Sequence, residues 1–157
     1  MKNFEPVYKE LENLFINKLP EYIEKINKEH NDRIILKPFE NKSLEENCIN
    51  TPSFSFKFEE TEYEEKDRII ENTVYTISIE IKLQQFYENQ IIVMWRYIEA
   101  IQRILEENSN YKYQIMNLKS NRIFIKIEQN SLEKVHDYLE KSLEKVYSFD
   151  IKSLEKV

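Results

Sequence analysis

The sequence predicts a single-domain α+β protein, with one mostly antiparallel sheet of about four to five strands and helices packed mainly on one face. Three observations predict it. The apolar residues switch between three- and four-residue steps and strict alternation along the chain. The clearest strand, VYTISIEIKLQ (74–84), has one apolar and one polar row, the mark of a sheet covered on a single side. The chain has 157 residues, enough for one domain whose core needs no metal or disulfide staple.

The elements follow in the order helix, three strands, helix, two strands, helix. From Glu5 to about His30, Val7, Leu11, Leu14, Phe15, Leu19, Tyr22, Ile23 and Ile26 recur at helical spacing. Pro20 cannot donate to the helix ladder, so the helix should kink or restart there. RIILKPF (33–39) reads as a short first strand and 41–52 as a polar connector. SFSFKFE (53–59) alternates Phe54, Phe56 and Phe58 against Ser53, Ser55 and Lys57, and an acidic loop with Glu59, Glu60, Glu62, Glu64 and Glu65 follows. In strand 74–84, Tyr75, Ile77, Ile79, Ile81 and Leu83 oppose Thr76, Ser78, Glu80, Lys82 and Gln84. From Asn89 to about Glu107 the stripe of Ile91, Met94, Trp95, Ile98, Ile101 and Leu105 predicts an amphipathic helix on the apolar sheet face, with Arg96, Glu99 and Arg103 off the stripe. YKYQIMNL (111–118) and RIFIKIE (122–128) are two strands joined by a tight Ser-Asn turn.

The C-terminus repeats SLEKV from Ser131, Ser142 and Ser153. An eleven-residue spacing keeps residues nearly in line on a helix. Leu132, Val135, Leu139, Leu143, Val146, Leu154 and Val157 would form such a stripe, and Asn130 with Glu133 resembles a capping box. YSFDI (147–151) breaks it, and KSLE also occurs at 42–45, so the repeat reads as biased composition rather than a solenoid. The division expected is a domain over 1–146 and a C-terminal extension over 147–157, either mobile or an inter-subunit arm.

Composition narrows the function. Glycine is absent, where about 7% is usual, which excludes phosphate-cradling glycine loops, the P-loop and the dinucleotide fingerprint. Alanine occurs once, and the abundance of Asn, Ile, Lys, Glu, Tyr and Phe points to a low-GC genome. Turns needing a positive φ must use Asn or Asp, with candidates at 107–112 and 119–123. The net charge of −6 makes the chain a poor wrapper of phosphate backbones. No apolar run spans a bilayer, so the expected site of synthesis and residence is the cytoplasm, with no membrane partner.

No catalytic, cofactor or metal residue stands out. His30 and His136 share no ligand spacing and read as surface groups. Cys48, the one cysteine, reads as a buried or idle thiol. A nucleophile elbow needs glycine. The glutamate cluster offers carboxylates to a hard cation but lacks the glycine and alternate Asp/Asn of an EF-hand, and a solvated loop is the simpler reading. Met94 and Trp95 read as core. Phe124 shares a strand face with Arg122 and Lys126, opposite Ile123, Ile125 and Ile127, and hints at a contact surface.

Two stretches, TPSFSFKFEE (51–60) and VYTISIEIKLQQFYENQIIVMWRYIEAIQRILEE (74–107), and the order of the elements resemble the tail terminator, or tail completion, proteins of long-tailed phages and phage-like contractile particles. The leading helix with LPEYIEKI (19–26) fits the same layout, and the likeness covers most of residues 4–129. The resemblance implies a structural, non-enzymatic virion protein without cofactors, made in the bacterial host. It implies a ring, usually a hexamer, that stops tail-tube growth and offers a surface to the neck or head connector. Its partners would be copies of itself, the tube and sheath proteins and the head–tail connector, with DNA only as passing cargo. In such a ring Glu59, Glu60, Glu62, Glu64 and Glu65 would face the lumen or a partner, and Arg122, Phe124 and Lys126 a neighbouring subunit. The acidic loop is longer than the family pattern expects, and the terminal repeat has no counterpart in it. Other head–tail connectors, minor capsid components, an intracellular protein-binding module unrelated to phage and a Glu/His hydrolase are the competing readings.

Overall fold

The computed structural model describes residues 4–66, 69–84, 89–119 and 121–130. The predicted terminal helix, His136 and the SLEKV repeats lie outside the described residues. Helix α1 (Glu5–Glu12) leads through a π-helical turn (Asn13–Lys18) into α2 (Leu19–His30). Strands β1 (Ser53–Lys66) and β2 (Ile69–Lys82) form a long hairpin. Helix α3 (Gln90–Asn108) then leads to the second hairpin, β3 (Lys112–Lys119) and β4 (Arg122–Asn130). All pairings are antiparallel, in the order β1–β2–β4–β3, and the helices lie on one side. This is the α+β domain that the sequence predicts.

Pro20 explains the π turn. A continuous α-helix would need an N–H at Pro20 for its ladder, so the helix restarts there, with Pro20 in the first turn of α2. The wider turn before it lets the Leu19 N–H reach the Leu14 carbonyl, five residues back. The two parts thus stay in line, and Val7, Leu11, Leu14, Leu19, Ile23 and Ile26 all remain within 1% of complete burial. Where a left-handed residue is needed, asparagine takes the place of the missing glycine. Asn31 ends α2 at φ 44° and Asn89 precedes α3 at φ 60°. Both lie outside the two stretches expected from sequence, and among the described residues 107–112 has no positive φ.

The sheet's inner face is nearly all isoleucine. Ile77, Ile79 and Ile81 on β2 pack beside Ile123, Ile125 and Ile127 on β4, each at most 1% exposed. Against them lies the stripe of α3, which is rotated from the expected one. Val93, Tyr97, Ala100, Ile101 and Ile104 are buried, whereas Ile91 and Trp95 are 75% and 57% exposed. Arg96, expected on the polar side, is buried. Its guanidinium spans the Asp32 carboxylate and, at 3.0 Å, the Ile34 carbonyl, so its charge stays paired while its stem packs. The core reading of Trp95 is thereby corrected; Met94 is partly buried against the core.

The predicted strand over 33–39 does not form. Its backbone needs are met by a side chain instead: Asn27 Nδ2 donates to the Leu36 carbonyl at 2.9 Å, and Asn27 Oδ1 accepts from the Leu36 N–H at 2.8 Å. An asparagine amide has the same donor–acceptor pair as a peptide group, so it replaces a neighbouring strand for one residue. The trick recurs at Asn41, whose amide pairs with both backbone groups of Phe54 at 2.8 and 2.9 Å and closes the start of the β1 edge.

The Arg96 contact holds the Asp32 carboxyl down to a pKa of about 2, mainly through its hydrogen bonds to the guanidinium. A depressed carboxylate stabilises the fold above its unfolded pKa and stops doing so as pH falls through its folded pKa. Asp32→Asn should therefore flatten the acid arm of the stability curve between about pH 4 and 2. Urea midpoints at pH 4 and pH 2 read this directly: an acid slope unchanged by the substitution would show that Asp32 is not a source of it.

Candidate functional site

The expected acidic loop is a correction as well as a lead. Residues 59–65 belong to β1, paired with β2 through register partners from Glu60↔Thr76 to Glu65↔Ile70. A bulge at Glu59 shifts the alternation, so Glu60, Glu62 and Glu64 share one face while Thr61 and Tyr63 turn to the other. The β-forming Thr and Tyr between the glutamates, together with the pairing to β2, make this a strand. Its glutamates remain exposed because β1 is an edge strand and their face carries no helix among the described residues.

That outer face unites the two sets of residues singled out in the sequence. Arg122 on β4 reaches Glu80 on β2 at 3.0 Å and Glu59 on β1 at 3.7 Å. Ser78 Oγ donates to Glu59 Oε1 at 2.7 Å, and Asn121 Nδ2 donates to Glu80 Oε1 at 3.4 Å. One row further along, Glu60, Thr76 and Lys126 lie abreast on three adjacent strands. Phe124 lies opposite Ser78 on the same face, half-buried, as its alternation with Ile123 and Ile125 predicts. Glu64 and Glu65 lie nearer the hairpin tip, away from the arginine. Ser78, Glu80 and Asn121, which complete the network, were not among the candidates, although Ser78 and Glu80 sit in the polar row of β2.

The charges are unevenly spread. The β1 sequence from Glu59 to Glu65 carries five carboxylates. The opposite edge strand, KYQIMNLK, carries two lysines and no carboxylate. Crowding shows in the titration of Glu60, whose pKa is raised chiefly by its hydrogen bond to Glu62 and by that neighbour's charge, with Lys126 opposing. Protonation relieves this repulsion, so the acidic row destabilises β1 at neutral pH and less so in acid.

Among the described residues both sheet edges are open. Beyond Phe54, where Asn41 caps β1, no backbone hydrogen bond is made to the outer edge of β1 or of β3 among the described residues.

No match to this chain was found among protein-family models, curated proteins or solved structures.

The chemistry available on the outer face is recognition: paired charges, hydroxyl and amide donors, and free strand edges. Among the described residues no group of three or more His, Cys, Asp or Glu side chains gathers in metal-ligand fashion, and no helix is long and apolar enough to cross a membrane. His30 lies on the surface with Nε2 3.6 Å from Glu99, and Cys48 is a partly exposed free thiol in the connector.

Proposed function

We propose that this protein is a ring-forming structural subunit of the tail-terminator type, which closes a phage tail tube and presents a face to the neck or head connector. The observation that carries the reading is the pair of open, oppositely charged sheet edges. An exposed strand edge is a template for another strand. The acidic row on β1 disfavours β1 against β1, which would make a two-fold dimer, and favours β1 against the lysine-bearing β3 of the next copy. Such a contact is head-to-tail, and a head-to-tail contact closes into a ring when its rotation allows. The glutamates then belong to the subunit contact, with Glu64 and Glu65 nearest the hairpin tip left to face a lumen or partner.

Native mass spectrometry and negative-stain images of the full chain are expected to show closed rings, six subunits being the number implied by the resemblance. Glu60→Lys with Glu62→Lys should abolish assembly, and Lys112→Glu should weaken it. A chain that stays monomeric at every concentration and low salt, or rings that persist unchanged in a folded Glu60→Lys/Glu62→Lys chain, overturns the reading.

A further inference from the structure

A groove of about 440 Å³ runs between the C-terminal half of α3 and the inner side of β3, lined by Leu105, Glu106, Ser109, Tyr111, Tyr113 and Ile115. Tyr113 and Ile115 pack against the core, and the Tyr113 hydroxyl donates to Glu10 at 2.9 Å. Glu106 accepts from Gln102 at 3.1 Å. A carboxylate has about four acceptor positions, so Glu106 can take a further donor. The groove flanks a strand edge that is open among the described residues. A strand added to β3 would set its inward side chains into it.

Strand β1 of a second copy fits that place by direction and by pattern. Every neighbouring pair in the sheet is antiparallel, so β1 and β3, at the two edges, run in opposite directions. A copy added in the same orientation therefore brings its β1 antiparallel to β3. The rows of the sheet supply the register. Glu62, Val74, Glu128 and Lys112 lie abreast, as do Glu60, Thr76, Lys126 and Gln114. Carried across the edge, these rows set Glu62 of the next copy beside Lys112 and Glu60 beside Gln114. A slip of two residues would move each copy about 7 Å along its strands, and a closed ring allows no net climb. The carboxylates fit this register. Lys112 is held only loosely, at 4.0 Å, by its own Glu128, and Lys126 lies one strand behind Gln114. Glu64 and Glu65 run past the start of β3.

On the inner face the same register puts Thr61 beside Tyr113 and Tyr63 beside Tyr111, at the mouth of the groove. Phe4 meets Phe58 and Tyr75 at 5.1 and 4.8 Å, and Tyr63 lies further along β1 than Phe58, past the start of α1. Tyr63 is 51% exposed in its own subunit. A tyrosine whose ring enters an apolar pocket and whose hydroxyl finds an acceptor there is a common interface anchor.

We infer that Tyr63 of one subunit inserts between α3 and β3 of the next, with its hydroxyl on Glu106, and locks the contact with Glu62 against Lys112 and Glu60 against Gln114. This contact presupposes the ring and supplies the residue that fixes its register. Disulfide mapping in the full chain tests it, on a Cys48→Ser background. Glu60→Cys is combined with Gln114→Cys, which leaves Glu62, Lys112 and Tyr63 in place. Within one subunit the two positions stand three strand spacings apart, about 14 Å, beyond disulfide reach, so any disulfide joins two copies. Mild oxidation is expected to give a ladder of linked subunits up to the size of the ring. The slipped pair, Glu62→Cys with Gln114→Cys, is expected to give several times less. Tyr63→Ala should raise the concentration at which rings dissociate by about tenfold or more. Rings that form without the ladder, a slipped pair that links as well, or rings whose dissociation Tyr63→Ala leaves unchanged overturn the inference and leave the ring reading standing. A chain that forms no rings, or one that links efficiently through Glu60→Cys or Gln114→Cys alone as a two-fold dimer, overturns both.

Discussion

Asn41→Ala is expected to lower the stability of the protein by about 3 kcal/mol, much more than the loss of a polar side chain from a connector usually costs. Asn41 is only 7% exposed and Phe54, its partner, 1%. The substitution removes the donor and the acceptor that meet the carbonyl and the N–H of Phe54 at 2.8 and 2.9 Å. Both backbone groups are then left buried, each at a desolvation cost of about 1–3 kcal/mol. Phe54 also anchors rings from two other segments, Phe15 at 5.5 Å and Phe39 at 5.3 Å, so water cannot enter without loosening that cluster. Asn47, exposed in the same connector, is the control, and its alanine variant should stay within about 0.5 kcal/mol of the parent. Urea denaturation of both variants decides the matter: a loss below about 1 kcal/mol for Asn41→Ala would mean that water replaces the amide.

The second large effect is expected at Tyr97. This residue is 2% exposed, stacks on Phe39 at 4.7 Å and donates its hydroxyl to the Lys37 carbonyl at 2.6 Å. It fastens the irregular 32–39 segment to α3, together with Arg96. Tyr97→Ala should cost about 3–5 kcal/mol through lost contacts and the cavity left behind. Tyr97→Phe should cost only about 1 kcal/mol, because it removes one hydrogen bond and keeps the ring. If the two variants were equally destabilised, the hydroxyl rather than the packing would be the anchor.

These two sites also mark where the sequence was legible and where it was not. The strands β2 and β4 could be read because each sets an apolar row against a largely polar one, which forces strict alternation over Tyr75–Ile81 and Ile123–Ile127. The restart at Pro20 followed from the chemistry of one residue. The segment 33–39 misled because Ile34, Ile35 and Leu36 look like a strand, whereas its hydrogen-bond partner is the side chain of Asn27. The α3 stripe was turned because Arg96 counts as polar and Trp95 as apolar. What decides their places is an aspartate 64 residues upstream that holds the guanidinium. The outer face was half legible. Alternation put Arg122, Phe124 and Lys126 together, but the meeting of Arg122 with Glu59 depends on β1 and β4 flanking β2, and strand order is not written in any local pattern. The glutamate run hid a strand because charge is a weak guide to backbone geometry at a sheet edge, where water solvates either conformation.

The sheet order has one more consequence, for how such a chain reaches its fold. The sheet is two local hairpins joined along a single seam between β2 and β4. Each hairpin closes a short loop at little entropic cost. The seam joins Glu80 to Arg122 across 42 residues, and the whole of α3 and β3 lies inside that loop. Closing it orders many residues before the isoleucine rows meet, so the seam is the long-range step that sets the contact order of the domain. It also carries the charged pair on one face and the deepest apolar rows on the other. The polar network therefore helps to register the one pairing that no turn dictates, and a slip of a single residue there would bring Arg122 inward and Ile123 out to water.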